Sequence, residues 1–221
     1  MLLANNLSFA RNNKYIFSGL DLAVSPNKII HITGRNGIGK TTLIKILANM
    51  LVPKTGEIYW NGKNIKKNLK DFYNNLTYIM DIQSSKEEMS VLENTIYWQK
   101  LFSSKIKDNE LNTIFKLLSL NKYSKVSSLS KGEIKKLELC RLVIEQKKFW
   151  LLDEPFSGLD KESIELISET FKNHIENNGM IIFSSHYFPE IQNIEIIKLP
   201  SFGKKPEAAI VEIVHALGFT I

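Results

Sequence analysis

Apolar and polar residues alternate along the first part of the chain, which predicts two strands at Leu2–Phe9 and Tyr15–Val24. A continuously apolar run at Lys28–Thr33 predicts a third, buried strand. After it, a glycine-rich stretch leads into apolar residues at helical spacing between Leu43 and Met50. The pattern therefore predicts a β-rich start, followed by a strand, a glycine loop and a helix.

The later pattern alternates short apolar runs with amphipathic stretches. Strands are expected at Glu57–Trp60, Leu76–Met80, Phe149–Asp153, Met180–Ser184 and Glu195–Leu199, and helices at Ser130–Gln146 and Lys161–Asn177. Asn61-Gly62 follows the first of these strands and predicts a hairpin with a type I′ turn. Strands that alternate with helices favour an α/β fold with a mostly parallel sheet.

One long segment, from Ser90 to about Leu120, has helical spacing and contains no predicted strand. It predicts a helical subdomain, at about residues 88–146, inserted into the α/β core. Its expected buried positions are Ile96, Leu101, Ile114, Leu117 and Leu118.

The composition changes beyond Pro200, so we expect one domain at residues 1–199. Residues 200–221 form a tail, in which Pro206–Leu217 has the pattern of a short amphipathic helix. The sequence assigns no function to this tail.

Composition excludes several classes of protein. Hydrophobic residues make up 43% of the chain and charged residues 24%, close to the averages of soluble globular domains and unlike disordered or coiled-coil chains. No apolar run approaches the ~18 residues of a membrane span, and the first residues lack a charged and then apolar leader, so neither a span nor a signal peptide is expected. The single Cys140 cannot form an internal disulfide, which fits a reducing compartment.

The net charge of +6 favours anionic partners such as a nucleotide, a nucleic acid or an acidic membrane surface. Of the 29 basic residues, only Arg11, Arg35 and Arg141 are arginines. Arginine forks that read bases or clamp phosphates are therefore scarce. We interpret most of the charge as a solvated lysine surface, with a polyanion-binding face as the minority interpretation.

The glycine-rich stretch has the pattern Gly34-x4-Gly39-Lys40-Thr41 of a P-loop. Its chemistry needs backbone N–H groups and a helix N-terminus around phosphate oxygens, a lysine that reaches the β- and γ-phosphates, and a hydroxyl that ligates Mg²⁺. A glycine-rich turn before a helix is the alternative, and the place between a buried strand and a helix favours phosphate binding. The candidate nucleotide-binding residues here are Gly34, Arg35, Asn36, Gly37, Ile38, Gly39, Lys40, Thr41 and Thr42, and Thr41 is also a candidate metal ligand.

Two acidic residues, Asp153 and Glu154, follow the buried run Phe149–Leu152 at the expected carboxyl end of a strand, where open α/β sheets bind ligands. Successive strand side chains point to opposite sides, so the two acids are expected to have different roles. Asp153 is predicted to hold Mg²⁺ directly or through water, and Glu154 to act as the general base for an attacking water. Two solvated acids in a turn are the weaker alternative, because the preceding run is buried. The Asn-Lys-x-Asp motif of GTPases is absent, since Asn121–Ser124 lacks the Asp.

Three more motifs follow in order: Leu129–Glu133, Ser157–Asp160 and Ser184–His186. With the P-loop and the Asp-Glu pair, they resemble the signature, D-loop and switch histidine of the ATP-binding subunits of ABC transporters, and the resemblance covers nearly all of residues 1–199. It implies a P-loop NTPase fold of the ABC type: a mostly parallel sheet, an antiparallel β subdomain and an inserted helical subdomain.

The resemblance also implies ATP and Mg²⁺ as cofactors, a second ATP-binding subunit, most simply a homodimer, and integral membrane transporter subunits as partners. The chain would then lie at the cytoplasmic face of the inner membrane as a peripheral protein, or at the mitochondrial inner membrane if an organelle encodes it. No nucleic-acid partner is expected.

The resemblance assigns Ser130 and Gly132 to the γ-phosphate of ATP bound by the partner subunit, and His186 to the γ-phosphate of the chain's own ATP as a catalytic residue. Ser130-x-x-Glu133 also fits a capping box, which needs no nucleotide, and both interpretations are compatible.

The chain departs from the family pattern at three places. Lys131 and Glu133 stand where the signature has Gly and Gln. Arg11 falls where the adenine-stacking aromatic is expected, so its guanidinium, or Phe9 or Tyr15 nearby, would stack instead. The Q-loop glutamine, a candidate nucleotide and Mg²⁺ ligand, is expected at position 82, where the chain has Ile82 and places Gln83 one residue later.

Within the family, the short length and the segments Phe17–Leu20, Ile58–Gly62 and Trp150–Phe156 look most like the ATP-binding subunits of the haem exporter of cytochrome c maturation. A transporter for another substrate, including lipid or peptide, is the first alternative. A soluble ABC ATPase acting on ribosomes or DNA is the second, although such proteins usually carry two nucleotide domains or a long coiled-coil insertion.

Overall fold

Two β-sheets and a set of helices make up residues 1–199, the part of the chain that the computed structural model describes. The predicted helix at Pro206–Leu217 lies outside these residues. The strands are β1 Leu2–Arg11, β2 Lys14–Val24, β3 Lys28–Thr33, β4 Thr55–Trp60, β5 Lys63–Asn64, β6 Leu76–Ile79, β7 Phe149–Asp153, β8 Met180–Ser184 and β9 Ile194–Lys198. The helices are α1 Lys40–Leu47, α2 Leu69–Asn75, α3 Val91–Phe102, α4 Asp108–Leu117, α5 Lys131–Leu139, α6 Arg141–Glu145 and α7 Lys161–Glu176.

The predicted parallel sheet is confirmed. It has five strands in the order β6-β7-β8-β3-β9, and every neighbouring pair is parallel. Strands β7 and β8 are buried along their whole length, as their continuous apolar sequences predict. Because β7, β8 and β3 are neighbours, the loops after their carboxyl ends meet at one edge of the sheet.

The second sheet is antiparallel, in the order β2-β1-β4-β5. Asn61 and Gly62 have positive φ angles of 49° and 76°, as a type I′ turn requires, and join β4 to β5 as predicted. Asn12 and Asn13, with φ angles of 50° and 59°, make a similar two-residue connection between β1 and β2. This turn puts its flanking residues beside the P-loop.

The segment from α3 to α4 is helical and contains no strand, as predicted. The prediction that five of its apolar residues are buried is wrong for three of them. Ile96, Leu101 and Leu117 are exposed, whereas Leu118 is buried and Ile114 is partly buried. The inner face of α3 carries Asn94, whose side chain accepts a hydrogen bond from the N–H of Lys86 and donates to carbonyls of the same loop. A polar residue therefore occupies the buried face of α3, so the apolar residues of the sequence do not mark the face that packs in the core.

Other helices also differ from the prediction. The helix expected at Ser130–Gln146 is divided into α5 and α6 at Cys140, whose N–H is shared between two carbonyls although its own angles stay helical. Helix α1 stops before Met50, because Asn49 adopts a left-handed φ of 57°. Helix α2 was not predicted. Between residues 1 and 199, no helix is long and apolar enough to cross a membrane.

Candidate functional site

The P-loop connects β3 to α1, and Gly39 lies at the start of the helix with a left-handed φ of 114°. A Cβ at this position would lie 2.2 Å from Cγ2 of Ile16, so only glycine fits. The Lys40 side chain is buried, and its ammonium donates a hydrogen bond to the Gly34 carbonyl at 3.2 Å. The glycine pattern thus brings the lysine under a loop whose backbone passes very close to β2.

The predicted phosphate loop carries one apolar side chain, that of Ile38. The side chain of Ile38 is buried in the core beneath the loop, and its N–H donates to the Arg35 carbonyl at 3.2 Å. Arg35, Asn36 and Gly37 are exposed, and of these Asn36 and Gly37 line the cleft described below. Ile38 therefore anchors the loop to the core, which its apolar side chain explains.

Three charged or titratable side chains from different loops meet beside the P-loop. The Lys40 Nζ atom lies 2.8 Å from Nε2 of His186 and 3.6 Å from Oε1 of Glu154. His186 Nε2 also lies 3.6 Å from the same Glu154 oxygen. Because an ammonium only donates, Nε2 of His186 accepts in this arrangement and its ring hydrogen is on Nδ1. The predicted phosphate lysine, general base and switch histidine are thus in direct contact.

The sheet sets the positions of both acids after β7. Asp153 is buried and pairs in register with Ser184, whose Oγ donates a hydrogen bond to its carboxylate. Glu154 has a left-handed φ of 48°, and its N–H donates to the Ser184 carbonyl and hydroxyl. This turn of the backbone directs Glu154 to Lys40, while Asp153 stays inside. The two carboxylates occupy different environments, as the alternation of strand side chains predicted.

A cleft of about 680 Å³ opens over the P-loop. It is lined by Arg11, Asn12, Lys14, Ile16, Asn36, Gly37, Gly39, Lys40, Thr41, Thr42, Lys45 and Glu154. Arg11 therefore lines the cleft, and its stacking on a base stays a prediction. The Tyr15 ring packs under the Lys54 ammonium at 4.7 Å.

Two lysines of the cleft were missed by the sequence analysis. Lys45 lies four residues after Thr41 on one face of α1, and Lys14 pairs with Arg11 across the turn between β1 and β2. Two signals in the sequence could have identified them: the helical spacing from Thr41 to Lys45, and the position of Lys14 opposite Arg11 in the hairpin. Together with Arg11 and Lys40 they make the cleft strongly cationic, which suits a polyphosphate.

The donor groups fit Mg²⁺ as an ion that arrives with a nucleotide. Thr41 lines the cleft, and the buried Asp153 ends β7, one residue before Glu154 of the cleft lining. Among residues 1–199, no group of three or more His, Cys, Asp or Glu side chains forms a metal site by itself. Mg²⁺ is commonly held by one or two protein oxygens together with phosphates and waters, and the donors present match that mode.

Helix α5 begins with the capping box that its sequence predicted. The Ser130 hydroxyl accepts a hydrogen bond from the N–H of Glu133 at 3.2 Å, and the Glu133 carboxylate accepts from the N–H of Ser130 at 2.9 Å. Hydrogen bonds that the hydroxyl and the backbone N–H of Ser130 donate to the Glu133 carboxylate lower the pKa of Glu133. Ser130 and Lys131 are exposed to solvent. The Glu133 carboxylate is therefore bonded to the first residue of its own helix cap, Ser130.

Helix α5 is also fastened to the loop after β7. A Cβ at Gly132 would lie 2.7 Å from the Gly158 carbonyl oxygen, so the helix can only approach this loop through a glycine. One turn further on, the Lys136 ammonium pairs with the Asp160 carboxylate, which also caps α7 through the N–H of Ser163. The bond from Lys136 is the largest cause of the lowered pKa of Asp160. The sequence motifs did not predict this ion pair.

Gln83 is not brought to the P-loop cleft. It lines a separate cleft of about 450 Å³ that also contains Lys131 and Gly158, and its side-chain amide donates to the Ser85 carbonyl at 3.0 Å. The Glu138 carboxylate of α5 accepts the N–H groups of Ser84 and Ser85, which fixes the loop in this position. In this structure, therefore, the expected glutamine ligand does not join Thr41 and Asp153.

Comparisons with known proteins identify the family of this chain. A family model described as ABC transporter matches residues 17–157. The cytochrome c biogenesis ATP-binding export protein CcmA of Histophilus somni is 30% identical, over 91% of this chain and 94% of its own length. The protein of that name from Dechloromonas aromatica is 32% identical, over 84% of this chain and 92% of its own length.

Solved structures show the same fold. A putative ABC transporter ATP-binding protein from Pyrococcus furiosus superposes with a TM-score of 0.78 at 22% identity, over 92% of this chain and 99% of that one. A dimeric ATP-binding cassette in a post-hydrolysis state with ADP and Pi has a TM-score of 0.71 at 18% identity, over 90% of this chain and 94% of that one. Since the family model spans more than half of the chain and the relatives align over most of it, the chain belongs to the ABC transporter family.

Proposed function

We propose that this chain is the ATP-binding and ATP-hydrolysing subunit of an ABC transporter, and that its membrane partners export haem for cytochrome c biogenesis. The observation that carries the ATPase part is the contact of Lys40, Glu154 and His186 beside the P-loop cleft. A γ-phosphate that enters the cleft would replace the Glu154 carboxylate as the anionic partner of Lys40. Glu154 is then free to accept a hydrogen bond from a water molecule. Because Lys40 holds the phosphate and lies next to Glu154, this water would lie close to the phosphate.

Hydrolysis follows from these positions. Glu154 accepts the proton of a water whose oxygen attacks the γ-phosphorus, and the bond to the β–γ bridging oxygen breaks so that ADP leaves. His186, released from Lys40, turns to the γ-phosphate as a donor once its hydrogen is on Nε2. Mg²⁺, held by the Thr41 hydroxyl and by Asp153 directly or through water, would neutralise charge on the phosphates. Arg11 and Ile16 form the wall against which the base would stack.

A second copy of the chain completes the proposed site. Ser130 and Lys131 are exposed at the start of α5, where they would meet the γ-phosphate held by the other copy. The solved dimer with ADP and Pi supports this arrangement through its fold. Integral membrane subunits would bind the dimer at the cytoplasmic face of the inner membrane.

The haem assignment is supported by the names of the relatives and by their alignment over most of both chains. The experiment is a pull-down from a detergent extract, followed by reconstitution of the captured complex in proteoliposomes with ATP and Mg²⁺. We expect polytopic membrane proteins and ATP-dependent movement of haem. Capture of ribosomes or DNA would contradict the transporter, and transport of another compound without haem would contradict only the substrate.

A further inference from the structure

His31 lies in the interior of the molecule, and the proposed chemistry does not use it. It is on β3, three residues before the P-loop, and its side chain is 0% exposed. Its ring stacks on Phe183 with 4.4 Å between centroids and 9° between planes, and Phe188 packs edge-on at 4.7 Å. A histidine in such a place needs a partner for its polar atoms, because burying an unpaired donor is costly.

The ring has one such partner. His31 Nε2 lies 2.9 Å from the carbonyl oxygen of Ser185, and a carbonyl only accepts, so Nε2 carries the hydrogen. Nδ1 is then a bare acceptor, and it finds no partner among residues 1–199. Burial lowers the pKa of His31 and keeps the ring neutral. The imidazole therefore supplies a single hydrogen bond to a single carbonyl.

That carbonyl belongs to the turn that carries His186. In the same turn, the Ser184 hydroxyl donates to Asp153, and the Ser185 hydroxyl accepts the N–H of Tyr187. The peptide between Ser185 and His186 is held by His31 from one side, and the N–H of His186 points to Glu154 at 3.3 Å on the other. Loss of the bond from His31 would leave this peptide held only through the N–H of His186, which would allow the imidazole of His186 to move.

We propose that His31 is a positioning residue, which holds the Ser185 carbonyl so that His186 faces the phosphate end of the cleft. The proposal rests on the proposed function, in which His186 acts on the γ-phosphate. Two variants separate the hydrogen bond from packing. His31→Gln keeps an N–H donor on a side chain of similar reach, whereas His31→Phe keeps a stacking ring and removes the donor.

The chain offers a matched control in His174. Its Nε2 also lies near a backbone carbonyl, that of Lys148 at 3.1 Å, and its ring stacks on Trp150 at 3.6 Å. Lys148 directly precedes β7, so this histidine sits at the amino end of the strand whose other end leads to Glu154. His174→Phe makes the same chemical change at a residue that does not line the P-loop cleft.

The experiment measures kcat and KM for ATP of each variant, alone and in a His186→Ala background. One net hydrogen bond corresponds to a fall of about 3- to 10-fold in kcat for His31→Phe, with KM unchanged and with rescue by His31→Gln. His174→Phe should keep the kcat of the unmodified chain. In the His186→Ala background, His31→Phe should cause no further fall, because its route of action is already removed.

Independent, multiplying losses of His31→Phe and His186→Ala would overturn the proposal, and so would equal losses in the Gln and Phe variants. A second readout is the ring signal of His186 in NMR spectra of the nucleotide-free protein, which His31→Phe should shift or broaden and His31→Gln should preserve. An unchanged signal overturns the positioning role even where hydrolysis is undetectable. If His186→Ala leaves kcat unchanged while the NMR signal responds to His31→Phe, the catalytic part of the proposed function fails instead.

Discussion

The P-loop cleft and the start of helix α5 are both candidate phosphate sites, but they are built differently. In the cleft, charges from three loops already contact each other: Lys40 touches Glu154 and His186 across more than a hundred residues of chain. At the start of α5, Ser130 contacts Glu133, three residues along the same helix. The cleft is assembled by the tertiary fold, whereas the helix start is assembled by local sequence.

A second helix of the same chain shows how little the local geometry reveals. Ser90 begins α3 with the same box: its hydroxyl accepts the N–H of Glu93 at 3.2 Å, and Glu93 accepts the N–H of Ser90 at 2.7 Å. Nothing in the bonds of Ser130 distinguishes it from Ser90. The difference lies in the surroundings, because α5 packs through Gly132 against the loop after β7. A capping box therefore cannot identify a nucleotide site, and only experiments on both regions distinguish their roles.

The largest expected effect on nucleotide binding is that of Lys40→Ala. This change removes the buried ammonium of the cleft, and a hydrogen bond to a charged group contributes about 1.5–3 kcal/mol, so ATP affinity should fall by about 10- to 100-fold. Isothermal titration calorimetry on the monomer measures it. Lys161→Ala, at an exposed position on α7, is the control. Equal affinity in Lys40→Ala and the unmodified chain would show that the cleft is not the primary site.

Glu154→Gln should bind ATP at least as well as the unmodified chain but hydrolyse it about 10²- to 10⁴-fold more slowly, because the amide keeps the shape and loses the basicity. A phosphate-release assay measures the turnover, and light scattering should detect a dimer that persists with ATP. Glu165→Gln, on the exposed face of α7, should behave like the unmodified chain.

The Asp153→Asn variant tests the division of roles between the two acids. Its hydrolysis should need more Mg²⁺ to reach half its maximum, because one oxygen ligand has been weakened. If the Mg²⁺ dependence of Asp153→Asn is unaltered, the roles of Asp153 and Glu154 are wrongly assigned.

The two capping serines make the most direct test of the comparison. Ser90→Ala and Ser130→Ala should each lower the free energy of unfolding by about 1 kcal/mol, because each removes the same cap. Only Ser130→Ala should also lower ATP hydrolysis and weaken the ATP-dependent dimer. Urea titration and a turnover assay on both variants give the answer. Matching turnover in the two variants would mean that the start of α5 is an ordinary helix cap.

The smallest effect is expected at the loop between β6 and α3. Gln83→Ala removes the bond to the Ser85 carbonyl and should lower the stimulation of hydrolysis by membrane partners about 2- to 10-fold. Ile82→Ala should change it less than twofold, because that side chain is 64% exposed. If the two variants behave alike with purified transporter, this loop has no glutamine function.

The features that could be predicted from the sequence are those that depend on residues close together in the chain. The P-loop, the buried strands and the Ser130 cap follow from short patterns, and the parallel sheet follows from their order. The sequence analysis missed what depends on packing between distant segments, such as the bond from His31 to Ser185 and the pair between Lys136 and Asp160.

The errors had local causes as well. The buried face of α3 was mispredicted because it carries the polar residue Asn94. The Asn94 side chain forms hydrogen bonds with backbone groups of the preceding loop. Gln83 was placed by counting residues, whereas Glu138 on another helix sets the course of its loop. Polar groups that bind backbone atoms of other segments leave no periodic signal in a sequence.

The left-handed backbone of Glu154 has a consequence for how this chain can evolve. Most of the other non-glycine residues with positive φ in residues 1–199 are asparagines, such as Asn61 and Asn178, which tolerate that conformation. A glutamate there carries a conformational cost of about 1 kcal/mol or more, which glycine or asparagine would relieve. The backbone conformation alone thus favours glycine or asparagine at this position, whereas the proposed hydrolysis requires the glutamate, so backbone strain and turnover oppose each other at a single residue.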